Sequence, residues 1–88
     1  MSRAESCIID LLDRRGPGRS ICPSDAARAL SSEGWRGLMD EVREAAARLA
    51  DRGEIVITQR GRKLPSRGYK GPVRLAKAGG IPPTPRKP

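Results

Sequence analysis

The sequence predicts an α+β domain of the winged helix-turn-helix type, in which three helices are followed by a β-hairpin wing. Three observations support this prediction. Apolar residues recur at helical spacing in three segments of residues 1–53, a β-branched run follows them, and a Gly- and Arg-rich segment separates that run from a second short apolar strand. A generic α+β domain of three helices capped by a hairpin fits the same pattern.

The first helix is predicted over residues 3–14. Ser2 and Glu5 have the spacing of a capping box, in which each side chain accepts a backbone N–H of the other residue. Cations at the end of this segment suit a helix C-terminus, and the Gly-Pro-Gly run at residues 16–18 ends it. Residues 19–21 are long enough for only a very short strand. The apolar face of the helix consists of Ala4, Ile8, Leu11 and Leu12.

The second helix is predicted to begin at Pro23, because proline suits the first helical position. Asp25 then lies in the first turn, where a carboxylate is favoured. Cys22 and Ser24 both remain open as the boundary residue. A turn follows at residues 31–34. The helix has a face of small or apolar residues that allows close approach of a neighbour: Ala26, Ala27 and Leu30.

The third helix is predicted over residues 35–52, with Gly53 as its C-terminal stop. Residues 54–59 are rich in β-branched side chains and predict a strand. Residues 72–75 predict the returning strand, with Val73 and Leu75 facing inward. Apolar residues recur along the third helix at spacings of four, three and four, as a buried face requires: Leu38, Val42, Ala45 and Leu49.

One winged-helix domain is predicted over residues 1–77, and the Gly- and Pro-rich basic tail at residues 78–88 is predicted to be disordered. With one Trp, one Tyr and no Phe, the core must consist of Leu, Ile, Val and Ala. No apolar run approaches the roughly 18 residues of a membrane-spanning helix. Acidic residues near the N-terminus disfavour a signal peptide, so we expect a cytoplasmic protein without membrane contacts.

Positive charge is concentrated in the C-terminal part of the chain. All ten acids lie in residues 1–54, where nine Arg leave a net charge of −1, whereas residues 55–88 contain nine Lys and Arg and no acid. The total of +8 therefore arises after residue 54. This asymmetry indicates a polyanionic partner, most often nucleic acid, although a basic segment that only aids solubility has the same composition.

The sequence predicts no catalysis, no cofactor and no metal site. It contains no His, which removes Ser-His-Asp and Cys-His arrangements and most mixed zinc sites. Two cysteines cannot form a four-cysteine site, and no GxxxxGK[ST] or GxGxxG loop is present. We expect structural roles for Cys7 and Cys22. A redox role at Cys22, near a helix N-terminus, is the alternative.

The candidate nucleic-acid contacts lie mainly in the wing, defined here as residues 60–71 between the two predicted strands. The wing cations could contact phosphates, and Tyr69 could stack or donate a hydrogen bond, or simply pack on the hairpin. The third helix has no net charge, and Asp40–Arg43 and Glu44–Arg48 have the spacing of ion pairs on a solvated helix. The predicted contacts are Arg36 and Arg43 on this helix and Arg60, Arg62, Lys63, Arg67, Tyr69 and Lys70 in the wing.

Trp35 is the single Trp and stands at the predicted start of the third helix. Insertion toward a base is one interpretation of this position. We expect instead that its ring locks the turn between the second and third helices onto the core, because a large aromatic side chain is usually buried in part.

Four blocks of the sequence, "ICPSDAARAL", "WRGLM", "VREAAARLADRGEIVITQRGR" and "KGPVRL", occur in this order between about Ile8 and Leu75. In content and order they resemble the bacterial family named domain of unknown function 3253. The resemblance implies a winged-helix fold. It implies no activity, substrate or catalytic residue, because the family is uncharacterised.

Two functions of different classes follow from these observations. The first is a DNA-binding protein, acting in transcription regulation, whose wing contacts phosphates. We expect duplex DNA rather than RNA as its partner. The second is a protein-interaction module whose basic hairpin docks on an acidic partner, because a neutral third helix suits a protein surface. No coiled-coil heptad or other feature of the sequence predicts an oligomeric state.

Overall fold

Three α-helices and one antiparallel sheet make up residues 1–78, the part of the chain that the computed structural model describes. This arrangement confirms the predicted α+β class. The predicted tail lies outside the described residues, apart from Ala78. The elements in chain order are α1 Arg3–Arg15, β1 Ser20–Ile21, α2 Pro23–Leu30, a 3₁₀ turn Trp35–Leu38, α3 Met39–Asp51, β2 Ile55–Gln59, β3 Arg62–Leu64 and β4 Arg74–Lys77.

Helix α1 begins at the predicted capping box. The Glu5 N–H donates to Ser2 Oγ at 3.1 Å, and the Ser2 N–H donates to Glu5 Oε1 at 2.8 Å. The helix continues to Arg15, one residue beyond the predicted end, and Gly16 leaves it with a φ of 92°. Glycine adopts this left-handed φ without a steric cost, so the helix ends there.

Helix α2 is capped at Cys22. The Cys22 N–H donates to Asp25 Oδ2 at 3.0 Å, and Pro23 occupies the first helical position, as predicted. This bond decides between the two boundary residues that the sequence left open. Ala26 and Ala27 are fully buried, so their small side chains allow α2 to contact both α1 and α3 closely.

The third helical segment differs from prediction at its start. Residues Trp35–Leu38 form a 3₁₀ turn, and α-helical geometry begins only at Met39. The Gly37 N–H donates to the Gly34 carbonyl at 3.0 Å, and Gly34 has a φ of 75°. Two glycines within four residues weaken α-helical propensity, so the tighter turn is adopted. The predicted apolar face is buried from Val42 onward, and Leu38 is half-buried.

The sheet has the order β1-β4-β2-β3, and every neighbouring pair is antiparallel. Strands β2 and β3 are joined by a two-residue turn, Arg60 and Gly61, with φ angles of 53° and 81°. Positive φ at both positions matches the right-handed twist of a tight hairpin. Strand β4 then pairs with the other edge of β2, with Ile57 opposite Leu75.

The predicted hairpin therefore needs two corrections. The segment between the two predicted strands is not a simple loop, because it contains the edge strand β3. The returning strand spans Arg74–Lys77 rather than residues 72–75, since Pro72 lacks the N–H that a paired strand donates. Val73 and Leu75 are buried, as predicted.

The core lies between the helices and the sheet and contains only Ala, Leu, Ile and Val among its buried members, which confirms the predicted composition. Trp35 and Tyr69 pack against its edge and stay half-buried. No helix within residues 1–78 is long and apolar enough to cross a membrane. The buried cluster consists of Ala4, Ile8, Leu12, Ile21, Ala26, Ala27, Val42, Ala45, Ala46, Leu49, Ile55, Ile57, Val73 and Leu75.

Glu5 is the one charged residue that is buried in the described part of the chain, with 4% of its surface exposed. Arg48 Nε of α3 and Nη1 of Arg52, the residue that caps the end of α3, each lie 3.1 Å from its Oε2 atom. A buried carboxylate requires such partners, and these two bonds join α1 to α3. The predicted Glu44–Arg48 pair is consequently absent, because Arg48 is directed toward Glu5 instead.

Candidate nucleic-acid interface

The tip of the wing presents cations on an edge strand and its turn. Arg60 lies in the two-residue turn, and Arg62 and Lys63 begin β3, with all three residues exposed. Strand β3 pairs only with β2, so its outer edge faces away from the sheet. None of these three cations has an acidic partner within 4.0 Å in residues 1–78.

Gln59 holds the far end of the wing against β2. Its Nε2 donates to the Lys70 carbonyl at 2.7 Å and to the Pro72 carbonyl at 3.1 Å. These residues, together with Arg60 and Gly71, line an open groove of about 490 Å³. The hydrogen bonds of Gln59 thereby place the Arg60 and Lys70 cations on one groove, which suits an anionic ligand.

A second set of contacts joins the wing to the end of α3. Ser66 Oγ donates to Asp51 Oδ1 at 2.6 Å, and Arg67 donates to Asp51 Oδ2 at 2.8 Å and to Glu44 Oε1 at 3.2 Å. The hydrogen bonds from Ser66 and then Arg67 lower the pKa of Asp51. Arg67 thus serves the packing of the wing and is balanced by two carboxylates. No pattern in the sequence indicates these contacts, since both acids lie on α3.

Arg43 and Tyr69 line a second, smaller groove of about 260 Å³ between α3 and the wing. Arg43 is exposed and forms no ion pair within the described residues, so the predicted Asp40–Arg43 pair is absent. Tyr69 is half-buried and packs against the core, which favours the packing role among those considered for it. Arg43 is therefore the α3 cation that the fold brings next to the wing.

Most acids of the molecule already form salt bridges. Eight of the ten form salt bridges in residues 1–78, all except Glu33 and Asp40, and Arg67 is the one wing cation among their partners. Two cations near the wing also have partners within the protein: Arg74 donates hydrogen bonds to Ser20, and Lys77 pairs with Asp13. Six of the predicted contact residues are exposed cations without an acidic partner in residues 1–78: Arg36, Arg43, Arg60, Arg62, Lys63 and Lys70.

The turn before α3 contains an arrangement that sequence reasoning missed. Trp35 packs against the core edge, as predicted, and the guanidinium carbons of Arg28 and Arg36 lie 4.4 and 4.6 Å from the centre of its ring. Arg28 was not among the predicted contacts. Its spacing of seven residues from Trp35 would place the two side chains on one face of a continuous helix. The turn between α2 and Trp35 interrupts the helix, so the spacing alone does not predict the contact.

The cysteines lie apart from the wing. Cys7 Sγ donates to the Ala26 carbonyl at 3.5 Å, and burial raises the pKa of its thiol, which disfavours the reactive thiolate. Cys22 Sγ lies 2.9 Å from Ser24 Oγ at the start of α2. Within residues 1–78, no three His, Cys, Asp or Glu side chains are grouped as metal ligands would be.

Comparison with known proteins identifies the family of the chain. No curated protein matches the chain. The family model described as "Protein of unknown function (DUF3253)" matches residues 1–78, which is the whole of the part that the structure describes. The chain therefore belongs to the DUF3253 family.

Proposed function

We propose that the protein is a winged-helix DNA-binding domain that binds duplex DNA mainly through phosphate contacts of its wing. The order of elements supports this fold type: a short strand lies between α1 and α2 and pairs with the last strand, and a hairpin follows α3. Helix α3 then occupies the place of the helix that enters the major groove in helix-turn-helix proteins.

The observation on which this proposal depends is the set of exposed wing cations without acidic partners in the described residues. Arg60, Arg62, Lys63 and Lys70 supply four positive charges on the wing, which Gln59 holds at Lys70 and Asp51 holds at Ser66 and Arg67. Because the wing is already held in place, little of its conformational freedom is lost when a phosphate backbone binds. Four neutralised phosphates would give a salt slope of about −3.6 on duplex DNA.

Helix α3 contributes less affinity in this proposal. Arg36 in the 3₁₀ turn and Arg43 on α3 are available for groove or backbone contacts. The exposed acids Asp40 and Glu44 also lie on α3. Acids near a phosphate backbone oppose binding, so we expect weak discrimination between DNA sequences. If the protein regulates transcription, the choice of its target site would then not come from α3 alone.

Fluorescence anisotropy of a labelled random duplex, titrated at about 50 to 200 mM salt, tests the proposal. We expect micromolar binding and a steep salt slope. The double variant Arg62→Gln/Lys63→Gln should reduce the slope by about 2, because each lost phosphate contact removes about 0.9. Arg14→Gln/Arg19→Gln removes the same charge from exposed positions outside the wing and serves as the matched control.

If both double variants bind like the unmodified protein, the wing is not the contact surface. If the unmodified protein fails to bind the duplex even at the lowest salt concentration, the DNA-binding proposal is wrong. Docking of the wing on an acidic protein surface would then be the function to test.

A further inference from the structure

Two guanidinium groups are held over one indole ring at the turn between α2 and α3. Arg28 comes from the last turn of α2, and Arg36 comes from the 3₁₀ turn that contains Trp35. The ring itself is half-buried against the core, so its position is set by the fold. We call Arg28, Trp35 and Arg36 the turn patch.

The turn patch concentrates positive charge without an acid to balance it. Neither arginine forms a salt bridge in the described part of the chain, and Glu33, the one acid between them in the sequence, forms none either. Two like charges near one ring repel each other, whereas the negative face of the indole attracts each of them. An anion that binds both guanidiniums would relieve that repulsion.

The ring also orders the two arginines before any ligand arrives. A flexible arginine side chain loses conformational entropy when it binds a ligand. Stacking on an aromatic face restricts the side chain beforehand, so less entropy is lost on binding. The planar fork of a guanidinium matches the oxygens of a phosphate group and can bind two of them at once. These properties favour a phosphodiester over a single carboxylate of an acidic peptide.

We propose that the turn patch is a second phosphate-contact site, independent of the wing, for the sugar–phosphate backbone of the same duplex. This inference rests on the proposed DNA-binding function. It adds Arg28 as a contact residue and assigns Trp35 as the residue that positions both arginines. Arg43, seven residues after Arg36 in the sequence, is an exposed cation that lines the groove beside the wing.

The decisive variant is Arg28→Gln/Arg36→Gln, compared with Arg14→Gln/Arg19→Gln in the same anisotropy titrations. We expect the turn-patch variant to lower the salt slope by about 2, because two phosphate contacts are lost, and the control to leave it nearly unchanged. Trp35 is the single Trp of the chain, so its emission reports on this site directly. Duplex addition should change that emission in the unmodified protein and in the wing variant Arg62→Gln/Lys63→Gln.

The positioning role of Trp35 is tested by a pair of apolar substitutions. Trp35→Phe keeps an aromatic face, whereas Trp35→Leu keeps only apolar packing. We expect the Phe variant to retain most of the duplex affinity and the Leu variant to lose about as much affinity as Arg28→Gln/Arg36→Gln, with a smaller loss of salt slope because its charges remain. Thermal unfolding of both variants shows whether they are folded at the temperature of the titrations.

The outcomes separate the two proposals. If the unmodified protein does not bind, the DNA-binding function fails, and this inference fails with it. If it binds and the wing variant weakens binding, but Arg28→Gln/Arg36→Gln has the same slope as its control, the DNA-binding function stands and the turn patch is not a contact site. Equal affinities of Trp35→Phe and Trp35→Leu would remove the positioning role of the ring.

Discussion

At the scale of single residues, Glu5 shows how a buried charge can be held ionised. The backbone N–H of Ser2 contributes most to lowering its pKa, and the guanidiniums of Arg48 and Arg52 add to this effect. Burial acts in the opposite direction, but the hydrogen bonds outweigh it and the pKa falls to about 2. The same carboxylate caps α1 and joins it to α3.

This lowered pKa predicts a specific dependence of stability on pH. A carboxyl whose folded pKa lies below its unfolded value stabilises the fold above the unfolded pKa, here near 4.5, and loses that contribution as pH falls toward about 2. The free energy of unfolding should therefore decrease across this window. Glu5→Gln should be less stable at neutral pH and should show a flatter decrease, measured by urea unfolding at a series of pH values.

Glu33→Gln is the control for this experiment, because Glu33 is exposed and forms no salt bridge in the described residues. Its profile should follow that of the unmodified protein. Parallel profiles for Glu5→Gln and the unmodified protein would show that the ion pairs of Glu5 do not contribute to stability.

At the scale of the elements, local signals in the sequence predicted the helices better than the sheet. The capping box of α1 and Pro23 of α2 act within a few residues of the chain. They predicted these two helices to within one residue. The 3₁₀ turn escaped prediction because the apolar spacing continues through it. Strand β3 has three residues, of which only Leu64 is apolar, so no alternation could identify it.

The candidate site shows the same limit. The excess of cations over acids in the wing is visible in the composition, and the structure shows that Arg60, Arg62, Lys63 and Lys70 are exposed. The pairing of Arg67 could not be predicted, because its partners Asp51 and Glu44 lie 16 and 23 residues away and become neighbours only through folding. Gln59 gave no signal for a similar reason, since its role is to bind carbonyls beyond the wing tip.

The wing groove predicts a difference between two glycines with the same φ of 87°, Gly68 and Gly71. A methyl group at Gly71 would lie 3.1 Å from Gln59 Nε2, whereas one at Gly68 would meet no atom within 4 Å. Both alanine variants should lose about 1–2 kcal/mol of unfolding free energy, because L-residues are strained at this φ. Gly71→Ala should lose more, because it also displaces the Gln59 amide.

Urea unfolding of the two variants, alone and combined with Gln59→Ala, measures this contribution. In the Gln59→Ala background the difference between Gly71→Ala and Gly68→Ala should vanish, since the crowded atom is gone. A difference that persists in that background would mean that Gln59 is not the cause.

At the scale of the whole molecule, folding pairs most of the acids with cations and leaves another set of cations exposed and unpaired in residues 1–78. Eight of the ten acids form salt bridges in residues 1–78, and the cations that form none there include Arg60, Arg62, Lys63 and Lys70 of the wing, the two arginines of the turn patch, and Arg43. A chain with balanced charge before residue 55 thus still presents an exposed basic surface. This distribution supports long-range attraction of a polyanion, which is strongest at low salt.

Whether the wing and the turn patch bind one duplex together is decided by the combined variant Arg28→Gln/Arg36→Gln/Arg62→Gln/Lys63→Gln. If both sites contact the same duplex at once, the two reductions in salt slope add, and the combined variant loses about 4 relative to the unmodified protein. If instead each site binds DNA by itself, the slope of the unmodified protein reflects only the stronger site. Removing the weaker site would then leave the slope unchanged, so additivity of the four anisotropy titrations distinguishes a single continuous contact surface from two separate ones.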